Sequence, residues 1–319
     1  MILLLCLLNV LPGCGGCSPL PQAKPEKATA DPPLDENAAE ELDSPFGVTS
    51  ILPMAHFKTE GEPDGRNLYP SVVKVIPGVP KFEAGLRSCG GIIAAPQLVL
   101  TAAHCLCGQR PATSPGGSTE YHVDRTSCVR TATVEVFLYE YDARAPRGIA
   151  SHASQQFQGR VQAHPGLAVR LDKERQVLSS HADLALILLD SPLPSGFSPA
   201  RLADAGVTAQ ETLTTVGFGH EEESGWLDFT RLINRRRVTA AMDSEGRRFQ
   251  FERLVESFFR GDSGGPCLRE SPRGPELVGI SSTGLGREPT MTALLPYREW
   301  LEQELQRAKG SPPPNPTPE

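Results

Sequence analysis

The 319-residue chain has no surplus of positive charge: 31 Lys and Arg stand against 38 Asp and Glu, a formal net charge of -7. Without a basic footprint a nucleic-acid partner is not expected. The mild acidity bears on solubility and steering rather than on chemistry. No apolar run is long enough to span a bilayer; Met1 to Leu11 falls well short of the ~20 residues that a spanning helix needs. No period of solenoid type recurs, and residues 18 to about 45 show no hydrophobic period at all. Nor does a complementary His/Cys cluster accompany Cys105-Leu106-Cys107, so neither zinc nor any other metal or cofactor is expected.

What is present is globular: 39% hydrophobic and 22% charged residues, enough for one large all-β domain plus tails. Met1 to Leu11 has the length of a signal-peptide apolar region. It runs into Leu11-Pro12-Gly13-Cys14, which resembles a bacterial lipoprotein cleavage box with Cys14 as the lipidated residue. Plain secretion with cleavage near Gly16 stays open, because no Lys or Arg precedes the apolar run and proline is unusual before such a cysteine. Both readings export the chain. The membrane is then a partner through a lipid anchor only, in a bacterial envelope. Residues 14–57 read as a Pro/Ala/Glu-rich tether.

Chemistry concentrates in three stretches. Arg260-Gly261-Asp262-Ser263-Gly264-Gly265-Pro266 sets a serine among glycines, where strained dihedrals are tolerated and both hydroxyl and backbone N–H can be exposed. A nucleophilic serine needs the first to attack, and the N–H groups of Gly261 and Ser263 to hold the oxyanion. Thr101-Ala102-Ala103-His104-Cys105 follows the apolar Leu98-Val99-Leu100, so His104 is expected on a turn at a strand end. Asp183 opens the apolar strand Asp183-Leu184-Ala185-Leu186-Ile187-Leu188-Leu189, where a lone carboxylate is costly unless paired. His104 is its natural partner.

These segments, in the order His, Asp, Ser, resemble the chymotrypsin-like (trypsin-like) serine proteases. The resemblance implies an all-β fold of two antiparallel β-barrels with a C-terminal α-helix. The domain is expected over 58–308, with barrel one at about 68–190, barrel two at about 206–292 and the helix at 294–307. Residues 1–13 precede it as signal, and 309–319 follow as a Pro-rich tail. Short strands are expected at Tyr69 to Ile76, Cys89 to Ala94, Thr133 to Leu138, Gly159 to Ala163, Leu184 to Leu189, Thr214 to Gly219 and Arg235 to Thr239. His164, in His164-Pro165, is expected to be an exposed loop residue without a catalytic role.

The same resemblance pairs Cys89 with Cys105 beside the base, a closure worth about 3 kcal/mol for a loop of this size. Cys107 and Cys128 bracket a Pro/Gly/Ser-rich insertion and are candidates for a second bridge, whereas Cys267 has no evident partner. Ser257, Arg260, Ser282, Thr283 and Gly284 fall where the family binds substrate. Ser257 carries no charge, so a preference for basic side chains loses its usual cause, and a small or medium apolar side chain is expected. Asp262 is the support residue, paired in the family with a cleaved amino terminus of Ile-Val-Gly-Gly type. Here the corresponding stretch is Lys58-Thr59-Glu60-Gly61, without Ile-Val. The implied function is a serine endopeptidase acting on protein or peptide substrates. A protease-like binding lipoprotein of weak activity, or an esterase using the same triad, remains open.

Overall fold

The computed structural model describes residues 61–78, 88–219, 230–241, 246–252, 262–282 and 290–310. The signal segment, the tether with Cys14, and Ser257, Arg260, Gly261, Thr283 and Gly284 lie outside the described residues.

In chain order the first half contains β1 (Glu62–Pro63), β2 (Val72–Pro77), β3 (Cys89–Ala95), β4 (Leu98–Thr101), β5 (Arg110–Thr113) and β6 (Thr119–Asp124). It continues with β7 (Thr131–Tyr141), β8 (Ile149–Ala163), β9 (Ala168–Leu171), β10 (Val177–His181) and β11 (Ala185–Leu189). The second half has β12 (Arg201–Leu202), β13 (Thr212–Gly217), β14 (Leu232–Ala241), β15 (Arg248–Phe251), β16 (Pro266–Arg269), β17 (Glu276–Ser282) and β18 (Thr290–Ala293). Helix α1 (Arg298–Gly310) ends the described chain, three residues beyond its expected limit.

Six strands close barrel one in the order β11-β4-β3-β2-β7-β8. Its lining follows from continuous apolar runs: β4 is buried at every residue, and β11 at all but Leu188. Barrel two closes through β14-β13-β16-β17-β18-β15, with β15 returning to β14; β1 is added to β14, and β12 lies parallel to β17. Closure removes sheet edges that would otherwise recruit other chains. The two barrels expected from the sequence are thus present, each with a core of buried side chains.

Strand β8 exceeds the expected Gly159–Ala163. Only that last third pairs with β11; the preceding residues continue an antiparallel hairpin with β7, from Thr131↔Arg160 out to Tyr141↔Ile149. At ~3.3 Å per residue the strand is about 50 Å long. Its outer part, Ile149-Ala150-Ser151-His152-Ala153-Ser154-Gln155-Gln156, is solvated on both faces, so no alternation marks it in the sequence.

The insertion after Cys107 is also folded. β5 and β6 pair as a hairpin, and β6 pairs with β9, giving a separate four-stranded sheet β10-β9-β6-β5. Arg170 of β9 chelates Glu120 of β6 through Nε at 3.0 Å and Nη2 at 2.9 Å. The segments leaving His104 and approaching Asp183 are therefore joined to one another. Helix α1 returns from barrel two to barrel one: Leu301 is buried, Gln162 Nε2 donates to Glu304 at 3.0 Å, and Trp300 meets the His164 ring edge-on at 4.6 Å. His164 is half-buried in this contact and not the exposed loop residue expected.

Candidate active site

The turn bearing His104 forms because β4 ends at Thr101 and a single 3-10 turn, Ala103–Cys105, follows with Ala103 and Cys105 buried. Cys105 is bridged to Cys89 at the start of β3, as expected, and Cys107 is bridged to Cys128. The first bridge ties Cys105, the residue that follows His104, to the start of β3. His104 and the Cys89 and Cys105 sulfurs lie within 4.8 Å of one another, but disulfide sulfurs offer a metal no thiolate.

Asp183 comes from the other side, between Ala182, held at a positive φ of 48°, and β11. Its side chain is wholly buried, whereas that of His104 is 15% exposed. The carboxylate accepts three hydrogen bonds: from the His104 backbone N at 2.8 Å, from His104 Nδ1 at 2.7 Å and from the Ser282 hydroxyl at 2.6 Å. Burial pushes the Asp183 carboxyl up, but the neighbouring imidazole, its hydrogen bond and the Ser282 hydroxyl outweigh it, leaving the group at about 2. An ionised acceptor fixes the proton on Nδ1 and turns the Nε2 lone pair outward. Ser282, expected on the substrate side, directs its hydroxyl to Asp183.

Ser263 reaches the same junction through backbone geometry. Its carbonyl accepts from Gly90 N of β3 at 2.7 Å, and Gly264 N donates to Ser281 O at 2.8 Å. Gly264 has a φ of 78°, and a Cβ there would stand 2.2 Å from Thr101 Oγ1 and 2.4 Å from Gly90 O. The turn is therefore flush against the end of β4, three residues before His104, and only glycine permits it. Among the described residues no hydrogen bond joins Ser263 to His104, a contact that often tightens only once substrate is bound.

Asp262 is buried beneath this turn, with its carbonyl accepting from Gly265 N at 2.9 Å. Its Oδ1 accepts from Gly219 N at 3.2 Å and lies where a Cβ on Gly217 would be. Burial raises the carboxyl to about 6 despite the Gly219 N–H and the positive charge of Arg236.

Four cations are buried among the described residues, Lys74, Arg231, Arg236 and Arg248, and sequence reasoning singled out none of them; two pack near the junction of the barrels. Lys74 of β2 places its ammonium 5.8 Å from the Phe137 ring and 5.5 Å from that of Phe218. Arg231, wholly buried, donates from Nε to Asp64 Oδ2 at 2.8 Å. Asp64 in turn accepts from Leu68 N at 2.7 Å and Tyr69 N at 3.0 Å. This pair fastens the start of the domain to the strand following the β13 turn. No local pattern marks either cation, since their partners are 60 or more positions away.

Two six-stranded antiparallel barrels with a buried carboxylate–imidazole pair define the chymotrypsin class of folds. A family model described as Trypsin matches residues 78–301. Trypsin iota of Drosophila melanogaster is 24% identical over 211 residues, covering 62% of this chain and 69% of its own. Among solved structures, the scabies mite inactivated protease paralogue S-I1 aligns with a TM-score of 0.51 at 18% identity, over 78% of this chain and all of that one. The structure titled GrC aligns with a TM-score of 0.52 at 18% identity, over 77% of this chain and 98% of that one. The chain belongs to the trypsin family.

Proposed function

We propose that this protein is an exported serine endopeptidase in which His104, Asp183 and Ser263 form the catalytic triad. The observation that carries the reading is the buried Asp183 carboxylate, accepting three hydrogen bonds, two of them from His104, with the Ser263-Gly264 turn packed against the end of β4, three residues before His104. In this mechanism Nε2 of His104 takes the Ser263 proton as the hydroxyl attacks a peptide carbonyl, then delivers it to the leaving amine. Asp183 holds the tautomer and stabilises the imidazolium. The N–H groups of Gly261 and Ser263 receive the oxyanion, worth about 3 kcal/mol of barrier per donor. Water then hydrolyses the acyl-enzyme by the same route.

Specificity in this reading is set by Ser257, Arg260, Thr283 and Gly284, with a small or medium apolar side chain preferred. Ser282 contributes to substrate binding through its backbone, its hydroxyl being engaged by Asp183. Two disulfides suit an oxidising compartment. Among the described residues no helix is long and apolar enough to cross a membrane. In this reading Cys14, in Leu11-Pro12-Gly13-Cys14, carries the lipid anchor. Digestion of a peptide library by the mature protein tests the activity: cleavage abolished by Ser263→Ala supports it, and ester hydrolysis without peptide cleavage refutes endopeptidase action. One observation favours a second reading, a binding protein on this scaffold: a solved neighbour, the scabies mite paralogue S-I1, is an inactivated protease. Mass spectrometry of the mature amino terminus tests the anchor, a diacylated Cys14 being the expected species.

A further inference from the structure

A buried carboxylate beside a nucleophile is expensive to keep ionised, and a charge placed with it offsets that cost. Barrel two contains such a charge. The run Arg235-Arg236-Arg237 lies on β14, where alternate side chains point to opposite faces. Arg235 and Arg237 are exposed; Arg236 turns inward, opposite the buried Leu213 of β13. There it lines a small enclosed cavity together with Asp262, walled by Thr215, Phe251, Ser281 and Met291. Those walls come from β13, β15, β17 and β18. Among the described residues that line the cavity, Arg236 and Asp262 are the two that carry charge.

We propose that Arg236 is the resident counter-charge of Asp262, and that it positions the Asp262–Gly265 turn for catalysis without a newly cleaved chain terminus. The inference rests on the serine-protease reading and deepens it, naming how the oxyanion turn is organised. Holding the carboxylate inward fixes the peptide that joins Asp262 to Ser263, and with it the N–H offered to the substrate oxygen. The Gly217–Gly219 segment secures the carboxylate's other side through the Gly219 N–H. The missing Ile-Val sequence at 58–61 is then a consequence: with a cation built into the barrel, a cleaved amine has no task to perform.

The test uses the mature, uncleaved protein, with Arg236→Gln and Arg236→Lys beside it. Carboxyl-carbon NMR titration of Asp262, assigned by its loss in Asp262→Asn, reads the pairing whether or not the protein hydrolyses peptides. Arg236→Gln is expected to raise the Asp262 titration midpoint by about one pH unit or more, and Arg236→Lys to restore most of it. On a cleavable peptide, Arg236→Gln is expected to lower kcat about tenfold with KM little changed, with rescue by lysine. An unchanged midpoint in Arg236→Gln overturns the inference, as does an uncleaved protein that gains activity only after proteolysis upstream of residue 62. Absence of hydrolysis by the wild type under all conditions refutes the functional reading instead, and the titration still decides the pairing.

Discussion

Removing the Ser282 hydroxyl tests how the Asp183 carboxylate is held. Ser282→Ala deletes one of its three hydrogen bonds and leaves both His104 donors in place. A hydrogen bond to a charged group contributes about 1.5–3 kcal/mol, so the variant is expected to lose about 2 kcal/mol of stability at neutral pH. Asp183 sits at about 2 in the folded protein against 3.8 as a free side chain. Its contribution is therefore present above 3.8 and lost as pH falls through about 2. Without Ser282 the folded value moves back toward 3.8, so the penalty must shrink in acid, by about 1 kcal/mol between pH 7 and pH 3. Urea unfolding of both proteins across that range measures it. A penalty independent of pH would refute the reasoning, because that is the mark of a packing defect and not of a lost charge partner.

Arg231→Ala is expected to destabilise by about 3–5 kcal/mol, since it strands Asp64 as a buried charge; a loss below about 1 kcal/mol in denaturant titration would contradict this. Gly264→Ala should abolish catalysis and reduce stability, because the added Cβ meets Thr101 and Gly90 at a left-handed φ, and thermal unfolding with activity assays reads both. Asp262 titrates at about 6 in the fold against 3.8 outside it, so it favours the fold below 3.8 and that advantage is lost as pH rises through about 6. Asp262→Asn should hydrolyse poorly and, because it leaves the buried Arg236 without its counter-charge, gain no stability at pH 7; its unfolding free energy should lack the decline that the wild type shows as pH rises from 3.8 through about 6, an outcome visible in paired unfolding and rate measurements. Replacing Cys89 and Cys105 together by serine should cost about 3 kcal/mol and lower activity through a loosened His104 turn.

Much of this architecture is legible along the chain because it is built from short-range signals. Leu98-Val99-Leu100 and Leu184 to Leu189 are continuous apolar runs, and barrel strands buried on both faces leave such runs. The glycines around Ser263 follow from residue chemistry, and the Cys89–Cys105 bridge from the resemblance to the trypsin-like proteases. What stayed hidden depends on distant partners or on solvated strands. The outer half of β8 is polar on both faces and offers no period. β5, β6, β9 and β10 are stabilised by pairing between two insertions some 50 positions apart. Arg236 is the instructive case: the strand at Arg235 to Thr239 is legible, but which of its faces meets the core is not, and the two-residue period turns the middle arginine into the barrel.

In the proposed triad Asp183 and His104 activate the Ser263 hydroxyl, and covalent labelling by a fluorophosphonate reads that activation without need of a substrate. A single adduct mapped to Ser263 by peptide mass spectrometry is expected, with the rate falling by about 10⁴ in Asp183→Asn as the imidazole takes the wrong tautomer. No adduct on the folded wild type, or equal labelling rates in both proteins, would contradict it.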